Sequence, residues 1–344
     1  MKIAVEEARS FTKDIFEAAG CPTEDAAVAA EIIIDANVHG INTHGISRVP
    51  IYVKRLLEKR INPSPEVTFE RQGSVLVVDG DNGLGQVVMH KATQEALKQV
   101  KEHGIMSVAI RNSNHFGHAF YYCNHIARDR TFCMMTTNSP KGIPPWGGKN
   151  AYFGTNPIAF GFPASQSPIV VDMSSSLVAR GNIILAAKNN ETIPEDWAID
   201  KDGNPTTDAN AALEGAVLPF GGAKGYALAL SLEVMAGVLS GAAFGPHVNN
   251  IYDDQADDAN VGHFMILSEI NHYMNEEMYF DRIDQMIQEI KEVPKAEGYE
   301  EIHIPGERKQ IKAEKTLNQG IEVSDEVYEE LKQLSEQLLE HSPI

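Results

Sequence analysis

"DGDNGLGQVV", residues 79–88, joins a β-branched run, "SVLVV", to a stretch of helical periodicity, "QVVMHKATQEALKQVKEHG". A strand that turns through glycines into a helix is where a doubly wound dinucleotide-binding fold carries G-x-G-x-x-G, the cradle for its diphosphate. Here the turn offers Gly83 and Gly85, which do not make that spacing. The fingerprint follows no other predicted strand, and no P-loop occurs. A standard Rossmann site is disfavoured, and with it goes the acidic or basic residue that separates NAD from NADP in such a unit.

Working outward, the runs "SVLVVDG", "IMSVAI" and "SPIVVDM" alternate with helical stretches and predict an α/β region. Between them, residues 138–163 are dense in Gly, Pro and Asn, which predicts a long ordered loop assembly. Both chain ends are helical. "PTEDAAVAAEIIIDANVHG" starts a helix at Pro22 and Thr23, with Glu24 and Asp25 at its positive end, and stops at Gly40. A second helix runs from about Ser47 through "RVPIYVKRLLEKR", because Pro50 is tolerated in a first turn. Near the C-terminus, "SDEVYEELKQLSEQLLEH" aligns Val327, Leu331, Leu334 and Leu338 in one stripe. Residues 221–245, apolar around the whole circumference but interrupted by Lys224 and Glu233, are expected to form a buried central helix and not a membrane span. The expected division is a helical domain of 1–70 together with 271–344, and an α/β domain of 71–270.

With 48 acidic and 29 basic side chains, the net charge of -19 repels nucleic acid and anionic membranes, while leaving a small anion free to bind in a locally cationic site. Cys21, Cys123 and Cys133 have no C-x-x-C spacing and are read as reduced. Together with an N-terminus that lacks a signal-peptide core, this points to the cytoplasm.

Candidate chemistry begins at "HGINTHGISR", residues 39–48, an interhelical corner. His44 is a natural proton carrier and Arg48 a natural bidentate partner for a carboxylate; on one helix they would share a face, with Tyr52 a turn beyond. His39 is read as a helix cap. A second cluster, "NSNHFGHAFYY", places His115 at a strand end, and the H-x-x-H spacing of His115 and His118 admits a metal-dependent hydrolase as a rival class. No third ligand at helical spacing supports a metal site. His125 reads as an ordinary helical residue. Lys224 sits at a helix start able to receive a phosphate, and the turns "DMSSS" and "IPGE" offer backbone donors, although capping by Asp172 and Ser174 explains the first as well.

In combination, "DANVHGINTHGISRVPIY", "NSNHFGHAFYY", "IPPWGGKNAYFGTNPIAFGFP", "IVVDMSSSLVARG", "LPFGGAKGYALAL" and "IPGERKQ", in this order, resemble the malate/L-lactate dehydrogenase family of NAD(P)-dependent oxidoreductases. The resemblance implies a non-Rossmann α/β fold, with a central sheet domain, a largely helical domain from both chain ends, and a homodimer with sites near the interface. It implies hydride transfer at the carbon beside a carboxylate, with NAD as cofactor and NADP as the variant. Malate or lactate is the first expected substrate. Ureidoglycolate is the alternative, because "IPEDWAIDKDGNPTTDA" and "VNNIYDD" also look like those members. By the same resemblance, His44 takes the acid/base role, which His115 holds in some relatives, and Arg48 binds the substrate carboxylate. Ser139, Asp172, Met173, Ser174, Lys224, Gly225, Pro305, Gly306 and Glu307 fall where relatives contact the dinucleotide. Many relatives have serine before the histidine, whereas this chain has Thr43, which keeps the hydroxyl.

Overall fold

The computed structural model describes residues 1–253 and 258–340. Asp254 of "VNNIYDD" and His341, the end of the last expected helix, lie outside them.

The chain begins with a short strand β1 (Lys2–Ile3), then α1 (Val5–Ala18), α2 (Thr23–Val38) and α3 (Val49–Leu57). Near its end, α10 (Glu307–Gln319) leads through β11 (Ile321–Glu322) to α11 (Asp325–Glu340), and β11 pairs antiparallel with β1. The two termini are thereby tied into one helical layer. Leu331 and Leu338 are buried in its core beside Ile15, Phe16 and Val53, with Val327 and Leu334 packed against it. The wall between this layer and the sheet is α2. Its Ile33 and Ile34 enter the helical core while Ile32 enters the sheet's core, so a helix apolar nearly all round is what the position requires.

Seven strands form the central sheet: β2 (Thr68–Gln72), β3 (Val75–Asp79), β4 (Ile105–Ser113), β5 (Thr131–Thr137), β6 (Ile158–Phe162), β7 (Ile169–Met173) and β10 (Val261–Glu269), in the order β2-β3-β4-β10-β5-β6-β7. The pair β3–β4 is parallel, joined through α4 (Gly85–His103); the other neighbours are antiparallel. Such a mixed sheet is not the all-parallel Rossmann arrangement. Helices α4 and α5 (Ala119–Arg128) contribute Val88, Met89, Ala92, Phe120 and Cys123 to the core that seals the sheet. The expected loop over 138–163 ends early: from Ile158 the backbone is already strand β6, because alternating "IAFGF" packs on β5 whatever the glycine content before it.

A small satellite core lies between β7 and the next long helix, built from α6 (Arg180–Asn189), β8 (Ala198–Ile199), α7 (Ala209–Glu214) and β9 (Ala216–Val217). Asp208 caps α7 by accepting from Asn210 N–H at 2.8 Å. Then α8 (Ala223–Glu233) continues through a π-helical turn, Val234–Leu239. This stretch is not the enclosed helix its composition predicts: Leu230, Val234, Val238 and Leu239 are exposed, the last by 63%. One face packs on β4, β5 and β10, and the other is left bare by this chain. Helix α9 (Glu276–Glu292) starts with a cap from Asn275 and lies by the β6–β7 edge, where Tyr279 Oη donates to Pro163 O at 3.1 Å.

The opening glycines now have a structural explanation. A Cβ on Gly85 would stand 2.1 Å from Asn114 O and 2.5 Å from His115 O, so the first turn of α4 can abut that loop because residue 85 has no side chain. Asn114 Nδ2 donates to Gly83 O at 2.8 Å and to Asn82 Oδ1 at 2.9 Å. The turn that looks like a failed phosphate loop is a clamp on the segment carrying His115.

Candidate active site

The corner after α2 is held by Asn37. Its Oδ1 accepts from Ile46 N–H at 2.7 Å and its Nδ2 donates to Asn42 Oδ1 at 3.1 Å, and a Cβ on Gly45 would collide with this side chain at 2.1 Å. Two single-turn 3₁₀ segments, Asn42–His44 and Ile46–Arg48, replace the early helix start that would have put His44 and Arg48 on one α-helical face. Pro50 sits in the first turn of α3, as its missing N–H requires. The two side chains are nevertheless brought together from this corner. His44 Nδ1 lies 3.0 Å from Thr43 Oγ1, and Arg48 Nε donates to Thr43 O at 2.7 Å.

From the end of β4 comes the second histidine. His115 stacks on His44 with ring centroids 5.3 Å apart, and its Nδ1 is 2.6 Å from the Tyr52 hydroxyl. Gly117 N–H also approaches this Nδ1, at 3.4 Å, so Nδ1 is committed to protein and Nε2 is the nitrogen left for a ligand. Burial, followed by the neighbouring His44 and Arg48, holds His115 well below the ordinary histidine range. Burial, Arg48 and Lys309 together bring His44 down to about 4. Both rings are therefore neutral near pH 7, side by side, next to a guanidinium. His118 turns elsewhere: its Nε2 is 3.4 Å from Asp35 Oδ2, a carboxylate that also lies 3.1 Å from His39 Nδ1. Burial pushes His118 down to about 3. The H-x-x-H pair is thus split between two partners. Among the described residues, the trio of potential ligands that does converge is Glu301, His303 and Glu307.

The remaining expected residues ring this centre unevenly. Asp172, at the end of β7, is partly buried and accepts from Phe120 N–H at 3.1 Å, capping α5 from across space, with Lys309 Nζ 3.7 Å from the same carboxylate oxygen. Burial raises its pKa against the pull of Lys309 and the Phe120 N–H. Met173 is exposed, and Ser174 Oγ is bonded within the turn to Ser176 Oγ at 3.0 Å. Ser139 Oγ accepts from Thr155 N–H at 3.1 Å, and its own N–H donates to Asn156 Oδ1. Lys224 is exposed at the start of α8, whereas Gly225 is buried, with Phe220 O where a Cβ would be. The turn at Pro305 is stapled to the sheet, with Val170 N–H donating to Pro305 O at 3.2 Å and Gly306 at φ 94° pressed on Val170. Glu307 accepts from Ile304 N–H and Lys291; these bonds outweigh its burial and keep the carboxylate ionised below its usual range.

Residues 3–332 match the family described as malate/L-lactate dehydrogenase. The chain belongs to that family. It is 38% identical over 339 residues to the malate/(S)-sulfolactate dehydrogenase of Methanothermus fervidus, covering 98% of both chains. It is 33% identical to the ureidoglycolate dehydrogenase (NAD(+)) of Escherichia coli, over 96% of this chain and 95% of that one. The sulfolactate dehydrogenase structure from Methanocaldococcus jannaschii superposes with a TM-score of 0.93 at 37% identity, over 98% of this chain and 97% of that one. The family is one of NAD(P)-dependent oxidoreductases acting on 2-hydroxy acids.

Several residues at the site escaped sequence reasoning. Asn37 is one residue among sixteen in α2, and its role appears when its partners nine residues on are seen. Lys309 lies on α10, nearly two hundred residues beyond its contact Phe120, over whose ring its amine sits at 4.7 Å. Its position two residues after the "IPGE" turn was the available signal. His263, fully buried in β10, bridges Thr137 Oγ1 and Ser113 Oγ at 2.8 Å each and so ties the roots of both functional loops. Glu233 is buried under Asn138, Asn156 and Gly245 N–H, which explains a carboxylate in an otherwise apolar helix.

Proposed function

We propose that this protein interconverts a small 2-hydroxy acid and its 2-oxo acid with NAD as hydride acceptor, malate or lactate being the first substrates and ureidoglycolate the alternative; NADP is the alternative cofactor. The observation that carries the reading is the convergence of Arg48 with two neutral, stacked histidines at one corner. Every candidate substrate has a carboxylate beside the reacting carbon, and a guanidinium held through Nε offers its outer nitrogens to it.

Among the residues expected to hold the dinucleotide, Met173 is exposed at the end of β7, next to Asp172, whose carboxylate faces the Lys309 amine, and Lys224 is an exposed cation at a helix start, which suits an anionic ligand. Ser139, Asp172, Ser174, Gly225, Pro305, Gly306 and Glu307 would frame it. When bound, nicotinamide supplies the hydride acceptor. The protein's own part is to orient the acid and take up the hydroxyl proton. His115 is the better held of the two histidines, fixed on buried Tyr52; with Nδ1–H donating to the phenol oxygen, Nε2 keeps its lone pair, so we assign it the proton transfer, with His44 stacked beside it and bonded to the exposed Thr43 hydroxyl. Burial is the main cause of the low His115 pKa; a carboxylate bound at Arg48 offsets the smaller contribution of the guanidinium and so shifts the ring upward.

The bare apolar face of α8 and the turn after it supports a homodimer. Among the described residues no helix is long and apolar enough to cross a membrane, and all three cysteines are free and buried, which fits a cytoplasmic setting. The test is a screen of 2-hydroxy and 2-oxo acids with both cofactors, followed at 340 nm, a wavelength that reports reduced nicotinamide, on wild type, His115→Gln and His44→Gln. His115→Gln should lower turnover by roughly a hundredfold or more with NADH binding intact. If His44→Gln is the dead variant and His115→Gln is near normal, the proton belongs to His44.

A further inference from the structure

Beside Arg48, on the side away from Thr43 O, stands Tyr252. Its segment is a tight turn: Asn250 Oδ1 accepts from Tyr252 N–H at 3.0 Å, Asp253 N–H donates to Asn250 O at 3.0 Å, and the Ile251 side chain is sunk into the helical core. That anchoring presents the phenol over the guanidinium, with Arg48 Cζ 5.3 Å from the ring centroid. Arg48 Nη1 donates to the Tyr252 hydroxyl oxygen.

The donor count decides what this contact is for. Of the five N–H bonds of Arg48, one is spent on Thr43 O and one on Tyr252, leaving three on the outer nitrogens. Since the phenol oxygen accepts from Arg48, its own O–H remains to donate, and among the described residues it has no acceptor. The side chain is 56% exposed, so a ligand can reach that hydroxyl without displacing a protein group.

We propose that Tyr252 is a substrate-binding residue that completes a carboxylate clamp: the Arg48 guanidinium takes the carboxylate together with the Tyr252 O–H, which donates to it as a second, neutral arm. This rests on the dehydrogenase reading and adds a group to it. A clamp with one charged and one neutral donor fixes the plane of the carboxylate, and hence which face of the adjacent carbon meets the hydride acceptor.

Tyr252→Phe tests this, because it deletes the hydroxyl and keeps the ring over Arg48. For the preferred 2-hydroxy acid, kcat/KM should fall about 10- to 100-fold, the scale of one hydrogen bond to a charged group, mostly through KM. NADH affinity, followed by fluorescence titration, should stay as in wild type, and so should the thermal midpoint. On the methyl ester of the same 2-oxo acid, which lacks the carboxylate, wild type and variant should perform alike. An unchanged or lowered KM for the acid would overturn the proposal, since Tyr252 would then merely occupy an empty Arg48. Equal losses on acid and ester would overturn it too. A wild-type protein that turns over no 2-hydroxy or 2-oxo acid refutes the dehydrogenase reading itself, whereas an active wild type with an indifferent variant refutes the clamp alone.

Discussion

His263 should make this protein acid-labile, and replacing it should remove a defined share of that lability. Its ring spans β4 and β5 from near the start of β10, with Nδ1 2.8 Å from Thr137 Oγ1 and Nε2 2.8 Å from Ser113 Oγ. The Thr137 hydroxyl already donates to Gly262 O at 3.1 Å, so it accepts from Nδ1–H and the neutral ring is satisfied at both ends. Burial brings its pKa from 6.5 down to about 3. The unfolded chain therefore binds a proton that the native state refuses. Stability from this source is complete above about pH 6.5 and drains away as the pH falls toward about 3. At roughly 1.4 kcal/mol per pH unit, the two units from about 6.5 to about 4.5 cost about 3 kcal/mol. In His263→Gln an amide can still donate to one hydroxyl and accept from the other, so at pH 7.5 the loss should be about 1–2 kcal/mol. Between pH 7.5 and 4.5 the variant should lose about 3 kcal/mol less stability than wild type. Urea unfolding followed by fluorescence of Trp146 and Trp197, at both pH values and one protein concentration, measures the difference; other acid-sensitive groups cancel between the two proteins. Identical pH dependence in the two proteins would show that His263 titrates freely in the native state, and the account of its burial would be wrong.

Four further outcomes are expected. Gly85→Ala would push a Cβ into Asn114 O at 2.1 Å, so activity should fall at least tenfold as the His115 loop shifts, with about 1–3 kcal/mol of stability lost; wild-type kinetics in this variant would mean the clamp can yield. Arg48→Lys should lower kcat/KM by about 1–3 kcal/mol in transition-state terms with NADH binding spared, and unchanged kinetics would remove Arg48 from the site. NADH binding should survive exhaustive chelation; a loss restored by zinc would revive the hydrolase class built on His115 and His118. Leu239→Glu, at a residue 63% exposed on the bare face of the α8 segment, should shift light scattering toward the monomer mass, and a variant as dimeric as wild type would place the interface elsewhere.

Sequence and structure part company where a contact depends on residues far apart in the chain. "HGINTHGISR" displays a proton carrier and a carboxylate binder within ten residues, and a spacing argument finds them although the helix it assumed is two 3₁₀ turns. Tyr52 and His115 are separated by 63 positions, so no periodicity reports their 2.6 Å contact. The same holds for the sheet. Its centre is β10, which enters between β4 and β5 from more than a hundred residues downstream, and strand-by-strand reading gives each strand without its neighbours. The stretch at 221–245 fails for a different reason: apolar character all round is equally what a buried helix and an associating helix need, and a single chain's sequence does not say which face a second copy would cover.

The glycines of "DGDNGLGQVV" join these threads. Missing the phosphate-loop spacing was enough to disfavour a Rossmann site, and what the glycines do instead is visible only with Asn114 and His115 beside them. Gly85 lets α4 approach the His115 backbone, Asn114 locks onto Gly83, and His263 ties Ser113 to Thr137 behind them. The loop that carries His115, the proposed proton carrier, is thus held at its root by three side-chain or backbone contacts from around the sheet, while its ring leans on Tyr52 from the helical layer. A histidine gripped from two layers cannot follow a substrate that binds askew. On the proposed reading the acid is then aligned from the other side of the corner, where Arg48 is pinned to Thr43 O and to the Tyr252 hydroxyl.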